Sequence, residues 1–195
     1  SQQDSRAVVA GDNGELVLTQ DGKLKSFKST AYEHGGDDKI MLIDGVNTVV
    51  GGFGADEITA GSGTNTVLGD DGEAFFDNGD LTLIQTTNSG NGGVDQIELQ
   101  NGINTVLGGA KGDQIQIGNG TNTVLGDEGV LTVDSTQKET VVKSLNGGVG
   151  GRDVITVGQG LNVAVGGADA DDITVTGSQQ DSRAVVAGDN GELVL

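Results

Sequence analysis

The chain has 195 residues, of which 36 are Gly, while Pro, Cys and Trp are absent and Phe and Tyr together number five. Ten Lys and Arg against 29 Asp and Glu give a formal net charge of -19, a field that repels phosphate and makes nucleic acid and anionic membrane surfaces poor partners. The lack of Cys excludes a disulfide framework, thiolate catalysis and Cys-bound zinc, the irregular Gly spacing excludes a collagen period, and no run of 18 apolar residues is present for membrane insertion.

The acids divide into 21 Asp and 8 Glu. Asp is a turn residue whose short side chain reaches back to the main chain, so the acidity is placed in turns and cations are its natural partners. Residues 1–18, SQQDSRAVVAGDNGELVL, recur without a substitution as residues 178–195, an offset of 177. A cloning artefact aside, such a chain is one full period of a tandem array followed by the start of the next, and neighbouring copies of the same repeat in the same chain are its expected partners.

Gly-Asp-x-Gly recurs at Gly11, Gly69, Gly126 and Gly188 and divides the period into three modules. Residues 1–10 close the preceding coil. The first module, 11–68, opens with a predicted hairpin over 13–34, in which Leu16–Thr19 and Lys23–Phe27 flank the turn Gln20-Asp21-Gly22. Residues 35–68 then carry Asp38, Asn47, Asp56 and Asn65 at intervals of nine, each followed two residues later by Ile or Val (Ile40, Val49, Ile58, Val67). The second module, 69–125, repeats this with a hairpin over 72–91 (Glu73–Phe76 against Leu81–Ile84) and coils over 92–125 bearing Asp95, Asn104, Asp113 and Asn122. The third, 126–187, has a hairpin over 129–148, linked through Ser135-Thr136-Gln137, and coils over 149–187 bearing Asp153, Asn162 and Asp171, with the fourth Asn position lost. Residues 188–195 begin the next repeat.

Physically, each nonapeptide is a Gly-rich turn closed by Asp or Asn and followed by a very short strand. In Asp56-Glu57-Ile58-Thr59-Ala60 the alternation puts Ile58 and Ala60 on one face; Ile40/Leu42, Ile97/Leu99, Ile115/Ile117, Ile155/Val157 and Ile173/Val175 repeat that pair. Strands this short need stacking to be stable, and a narrow aliphatic column explains the missing aromatics. Because Asp and Asn alternate, the repeat is an 18-residue coil with an Asp edge and an Asn edge. The expected fold is all-β: a parallel β-roll or β-solenoid of 18-residue coils interrupted by inserted hairpins. The hairpins leave where an Asp turn is due, so they should project from the Asp edge and pack over one face. Arg6 and Arg183, the same repeat position, are expected to break the Asn edge.

The run Gly51-Gly52-Phe53-Gly54-Ala55-Asp56-Glu57-Ile58-Thr59 resembles the GGxGxDxUx nonapeptide of haemolysin-type (RTX) calcium-binding repeats, over residues 35–71, 92–127 and 149–177. The resemblance implies Ca²⁺ held by Asp carboxylates and Gly-turn carbonyls between successive coils: between the Asp38 and Asp56 turns, between Asp95 and Asp113, and between Asp153 and Asp171. It assigns as candidate ligand positions Gly36, Asp38, Gly52, Gly54, Asp56, Gly93, Asp95, Gly109, Asp113, Gly151, Asp153, Asp169 and Asp171. Hard oxygen ligands in a flexible arrangement suit Ca²⁺ better than Mg²⁺. The chain departs from the family in its Asn edge, read as a metal-free ladder of Asn47, Asn65, Asn104, Asn122 and Asn162, and in imperfect turns, where Lys111 stands ready to pair with a neighbouring acid. Asp12, Asp70, Asp127 and Asp189, which mark the hairpin exits, are weaker metal candidates with turn capping as the alternative.

No active site is legible. His34 is the one imidazole and lies in a turn, no HExxH is present, and the Gly turns precede strands rather than the helix a phosphate loop requires. The chain is therefore expected not to be an enzyme. It reads as a calcium-stabilised extender module of a large secreted or cell-surface bacterial protein. An adhesive or glycan-binding module and an accessory calcium module of a secreted enzyme or toxin are the alternatives.

Overall fold

The computed structural model describes residues 5–134, 140–177 and 182–194. The predicted link Ser135-Thr136-Gln137 lies outside the described residues, as do 1–4 and 178–181. Among the described residues twenty strands, numbered in chain order, form three sheets. A long parallel sheet has the order β1 (Arg6–Ala10), β5 (Gly45–Val50), β7 (Gly63–Leu68), β11 (Gly102–Gly109), β13 (Gly120–Asp127), β17 (Gly160–Gly167) and β19 (Arg183–Asp189). A short parallel sheet has the order β4 (Lys39–Leu42), β6 (Glu57–Ala60), β10 (Gln96–Leu99), β12 (Gln114–Ile117), β16 (Val154–Val157) and β18 (Asp172–Val175). The third sheet is antiparallel: β2 (Gly14–Leu18), β3 (Leu24–Ser29), β8 (Gly72–Asp77), β9 (Asp80–Thr86), β14 (Gly129–Val133), β15 (Thr140–Ser144) and β20 (Glu192–Val194). Among the described residues no helix is long and apolar enough to cross a membrane.

The long sheet is the middle layer, and its sequence says why. Runs such as Asn-Thr-Val-Leu present apolar groups on both faces, as strands covered on both sides do. Val49, Val67, Val106 and Val124 face the short sheet and pack against Ile40, Ile58, Ile97, Ile115 and Ile155. Val50, Leu68, Leu107, Leu125 and Val165 face the other way, against Phe27, Ala74, Ile84, Leu131 and Val142 of the antiparallel sheet. Two aliphatic cores thus flank one sheet, and the expected inward pairs Ile58/Ala60, Ile97/Leu99, Ile115/Ile117 and Ile155/Val157 are all buried.

The hairpins do more than project. The pairs β2–β3, β8–β9 and β14–β15 join one another through β3–β8 and β9–β14, so excursions far apart in sequence make one continuous sheet over the long one. The Asn edge also breaks at a different residue from the one expected. Ala7 stands opposite Asn47 and Ala184 opposite Asn162, so Ala occupies the lost Asn position and Arg6 and Arg183 are its neighbours.

The exact copies at the two ends of the sequence fall at opposite ends of the sheets. β1 and its copy β19 bound the long sheet, and β2 and its copy β20 bound the antiparallel one. From copy to copy each of these sheets advances by six strands, and the short sheet has six. All three sheets therefore keep step over the period.

Candidate functional site

Two columns of polar side chains run along the stack. On one edge Asn47, Asn65, Asn104, Asn122 and Asn162 are in register, at most 3% exposed. Each amide nitrogen donates to the next Asn Oδ1 at 2.8–2.9 Å along the whole series. The same amide donates to the carbonyl four residues earlier, as Asn104 does to Gln100. The Gly two residues before each Asn lets neighbouring strands approach: Gly102 has φ +148°, and a Cβ there would collide with the carbonyl of Gly63.

On the other edge the Asp residues form a column of different chemistry. The amides of Asp38, Asp56, Asp95, Asp113 and Asp153 donate to Oδ1 of Asp56, Asp95, Asp113, Asp153 and Asp171 in turn, at 2.7–3.0 Å. The series runs across the hairpin insertions, from Asp56 to Asp95 and from Asp113 to Asp153, without a change of pattern. In each accepting residue Oδ2 is buried without a hydrogen-bond partner. Burial pushes Asp56 up to about 6, Asp95 to about 7 and Asp153 to about 8, with Asp113 well above the ordinary value; neighbouring carboxylates add to this and the accepted N–H bonds oppose it. Burial also raises Asp171.

Asp12, Asp70 and Asp127 are built otherwise. Asp12 accepts from the amides of Gly36 and Phe53 at 3.2 and 2.7 Å. Asp70 accepts from Gly93 and Ala110, and Asp127 from Gly151 and Ala168. Both carboxylate oxygens are thus engaged, and each residue ties the turn where a hairpin returns to the turn before the next strand of the short sheet. The positive-φ glycines Gly52, Gly109 and Gly167 lie over these carboxylates so closely that a Cβ would collide with them. This is the capping geometry. Asp70→Ala should strand two backbone donors, one of them on the buried Ala110, and cost about 2–4 kcal/mol. Hydrogen exchange would register it as faster exchange at Gly93 and Ala110, and an unchanged rate at both would contradict the clamp.

The fit of the Asp column to a metal follows from its donors. Each of Asp56, Asp95, Asp113, Asp153 and Asp171 keeps one buried oxygen without a partner, and Asp56 Oδ2 and the Gly69 carbonyl both crowd the place that a Cβ on Gly51 would take. Such oxygen-only donors fit a hard dication. Among the described residues no three acidic or imidazole side chains converge, so an ion here would take one or two carboxylate oxygens and need main-chain carbonyls or water for the rest of its shell. Of the other candidates, Gly54 packs against the backbone of Gly36, Asp169 is an exposed turn residue with φ +67°, and Lys111 (φ +77°) makes no ion pair among the described residues. Asp189, the copy of Asp12, lies on the exposed last strand of the long sheet. His34 is exposed and uses its main-chain carbonyl to accept from Asn13.

The outer face of the short sheet offers no repeated chemistry. Its two columns read Lys39, Glu57, Gln96, Gln114, Val154, Asp172 and Met41, Thr59, Glu98, Gln116, Thr156, Thr174. The outer face of the antiparallel sheet is patterned instead. Glu15, Lys28, Glu73, Gln85, Val130, Lys143 and Glu192 stand side by side, with Lys28–Glu73 at 2.9 Å and Lys143–Glu192 at 3.3 Å. Glu192 is the copy of Glu15, so the row ends on the residue that begins it.

The fold and the two columns define a class of protein, the repetitive all-β stack. No family model, no curated protein and no solved structure matches the chain. The reading of the site therefore rests on the chain's own residues.

Proposed function

We propose that the chain is one period of a structural extender, a roll in which the strand pairs of the two parallel sheets form 18-residue coils and which passes without interruption from one copy to the next. The observation that carries this is the placement of the exact copies. β19 pairs with β17 and β20 with β15, and these pairings are what a following period would meet in a tandem chain. Since every sheet advances by six strands per period, none falls out of register however many copies follow. The Lys143–Glu192 pair continues the charge row across the junction.

Calcium is the proposed second component, on the nonapeptide pattern and the unpartnered Asp oxygens, with folding and ion binding coupled by mass action. A stack that tightens on calcium suits an extracellular or cell-surface setting, where it would space or project other domains. The test is length. Chains of one, two and three periods should lengthen by about 29 Å per period in small-angle scattering, six strands at ~4.8 Å each. An increment well below this, or a compact two-period particle, would sink the extender reading.

A further inference from the structure

We infer that two molecules of this chain pair side by side, running in opposite directions, through the outer face of the antiparallel sheet. Such pairing goes beyond the extender reading and needs only the antiparallel sheet of a single period. Phe27, Ala74, Ile84, Leu131 and Val142 point into the core, so their neighbours along each strand point outward. These neighbours form two rows across β3, β8, β9, β14, β15 and β20, in regular register. One row reads Lys28, Glu73, Gln85, Val130, Lys143, Glu192. The other reads Ser26, Phe75, Leu83, Thr132, Val141, Val194, with Phe75, Leu83 and Val141 left half-buried.

Charge selects this face. A chain of net charge -19 repels its own copies. The first row nevertheless sets Lys28 and Lys143 against Glu73 and Glu192, and the second row carries no charge, so the strip is neutral. The outer columns of the short sheet hold Lys39 against Glu57, Glu98 and Asp172 and are net acidic. The acidic hairpin tip, Asp77 and Asp80, lies beyond the second row, at the rim of the strip.

Direction and register follow from the order of the side chains. Two such faces oppose charged row to charged row and apolar row to apolar row only when the molecules run antiparallel; parallel molecules can oppose one row at most to its copy. With the two-fold axis between β9 and β14, Lys28 faces the second molecule's Glu192, Glu73 its Lys143 and Gln85 its Val130. The Lys28–Glu73 pair, at 2.9 Å, then lies across from the second molecule's Lys143–Glu192 pair, at 3.3 Å, as a square of alternating charges. The same register sets a larger group on a smaller one throughout the other row: Phe75 on Val141, Leu83 on Thr132, and Val194 on Ser26. Neighbouring registers fail. An axis on β9 sets Lys28 against Lys143, and an axis on β14 sets Glu73 against Glu192.

Six strands at ~4.8 Å and four residues at ~3.4 Å give a strip of about 400 Å² per molecule, roughly half of a standard interface. One period therefore pairs weakly. Because the rows repeat after six strands, the same oppositions recur in every period, and a tandem array would pair along its length.

Exchanging the two members of one ion pair tests this with composition and net charge unchanged. Lys28→Glu with Glu73→Lys keeps an ion pair within the sheet but sets like charges across the axis. Lys143→Glu with Glu192→Lys does the same from the other side. In sedimentation velocity from micromolar to millimolar concentration the parent chain should pair, and each exchanged variant should associate at least about tenfold more weakly. An equimolar mixture of the two variants should regain the parental association, since each then supplies the charges that the other needs. A parent chain that stays monomeric to millimolar concentration overturns the inference. So do exchanged variants that associate as the parent does, or a mixture no tighter than its components. The length increment of covalently linked periods, read at dilution, is independent of these results.

Discussion

In the presence of chelator the chain is expected to be more stable at pH 5 than at pH 8, and calcium at pH 8 should close the gap. The carboxyls concerned titrate near 4 when unfolded. Burial lifts them in the fold to about 6 at Asp56, about 7 at Asp95 and Asp127, about 8 at Asp153 and about 9 at Asp70. Between about pH 4 and those values the folded chain holds more protons than the unfolded one, so stability falls as pH rises through the window. One carboxyl shifted by two units already contributes about 3 kcal/mol. Added salt separates this from the general repulsion of a chain of charge -19, since salt screens exposed charges far more than buried ones. A bound dication would take the place of the proton on Oδ2, so its stabilising effect should be largest at pH 8 and small at pH 5. Thermal unfolding followed by circular dichroism, at both pH values with chelator, calcium or magnesium, decides the matter. Equal midpoints at the two pH values, untouched by calcium, would mean that the Asp column carries neither a proton nor an ion.

The two columns were legible in the sequence because Asp and Asn alternate at intervals of nine within each module, and the 39- and 40-residue steps across the hairpins bring the same residue types back into register. The alternation of Ile58 with Thr59 or Ile97 with Glu98 likewise assigned the inward face. The continuous antiparallel sheet was not legible. Each hairpin announces its own local pairing, but the joins between Ser26 and Phe75 or Ile84 and Leu131 link segments with no shared period. The clamping role of Asp12, Asp70 and Asp127 had a signal that the repeat alone does not explain. Each stands 23 or 24 residues before the first turn it holds and 40 or 41 before the second, a constancy that hairpins of differing sequence preserve. The break in the Asn column was misplaced because the irregular segment after Gly177 moves the register by four residues, so that Ala184 rather than residue 180 continues the column.

Exchanging the chemistry of the two columns one residue at a time should give opposite effects from isosteric substitutions. Asn104→Asp is expected to destabilise strongly. Asn104 is 1% exposed, accepts from Asn65 at 2.8 Å, and donates to Gln100 at 3.1 Å and Asn122 at 2.9 Å. A carboxyl keeps the first bond and loses both donors, turning oxygen toward oxygen, at a cost of about 3 kcal/mol or more. Asp95→Asn should do the reverse in chelator at pH 8. Its Oδ1 still accepts from the Asp56 amide at 2.8 Å, while the buried oxygen that had no partner becomes an amide that carries no charge. Relief of a shift from 3.8 to about 7 is worth on the order of 4 kcal/mol. The gain should fall to about a third at pH 5 and vanish only near pH 4, where the unfolded carboxyl is protonated as well, and the response to calcium should shrink, since one anionic oxygen is gone. Urea unfolding of the two variants beside the parent chain reads both signs at once. Should Asp95→Asn be destabilising at pH 8 without calcium, the carboxylate would be serving the fold as a charged acceptor. The asymmetry between the columns would then lie in hydrogen bonding alone.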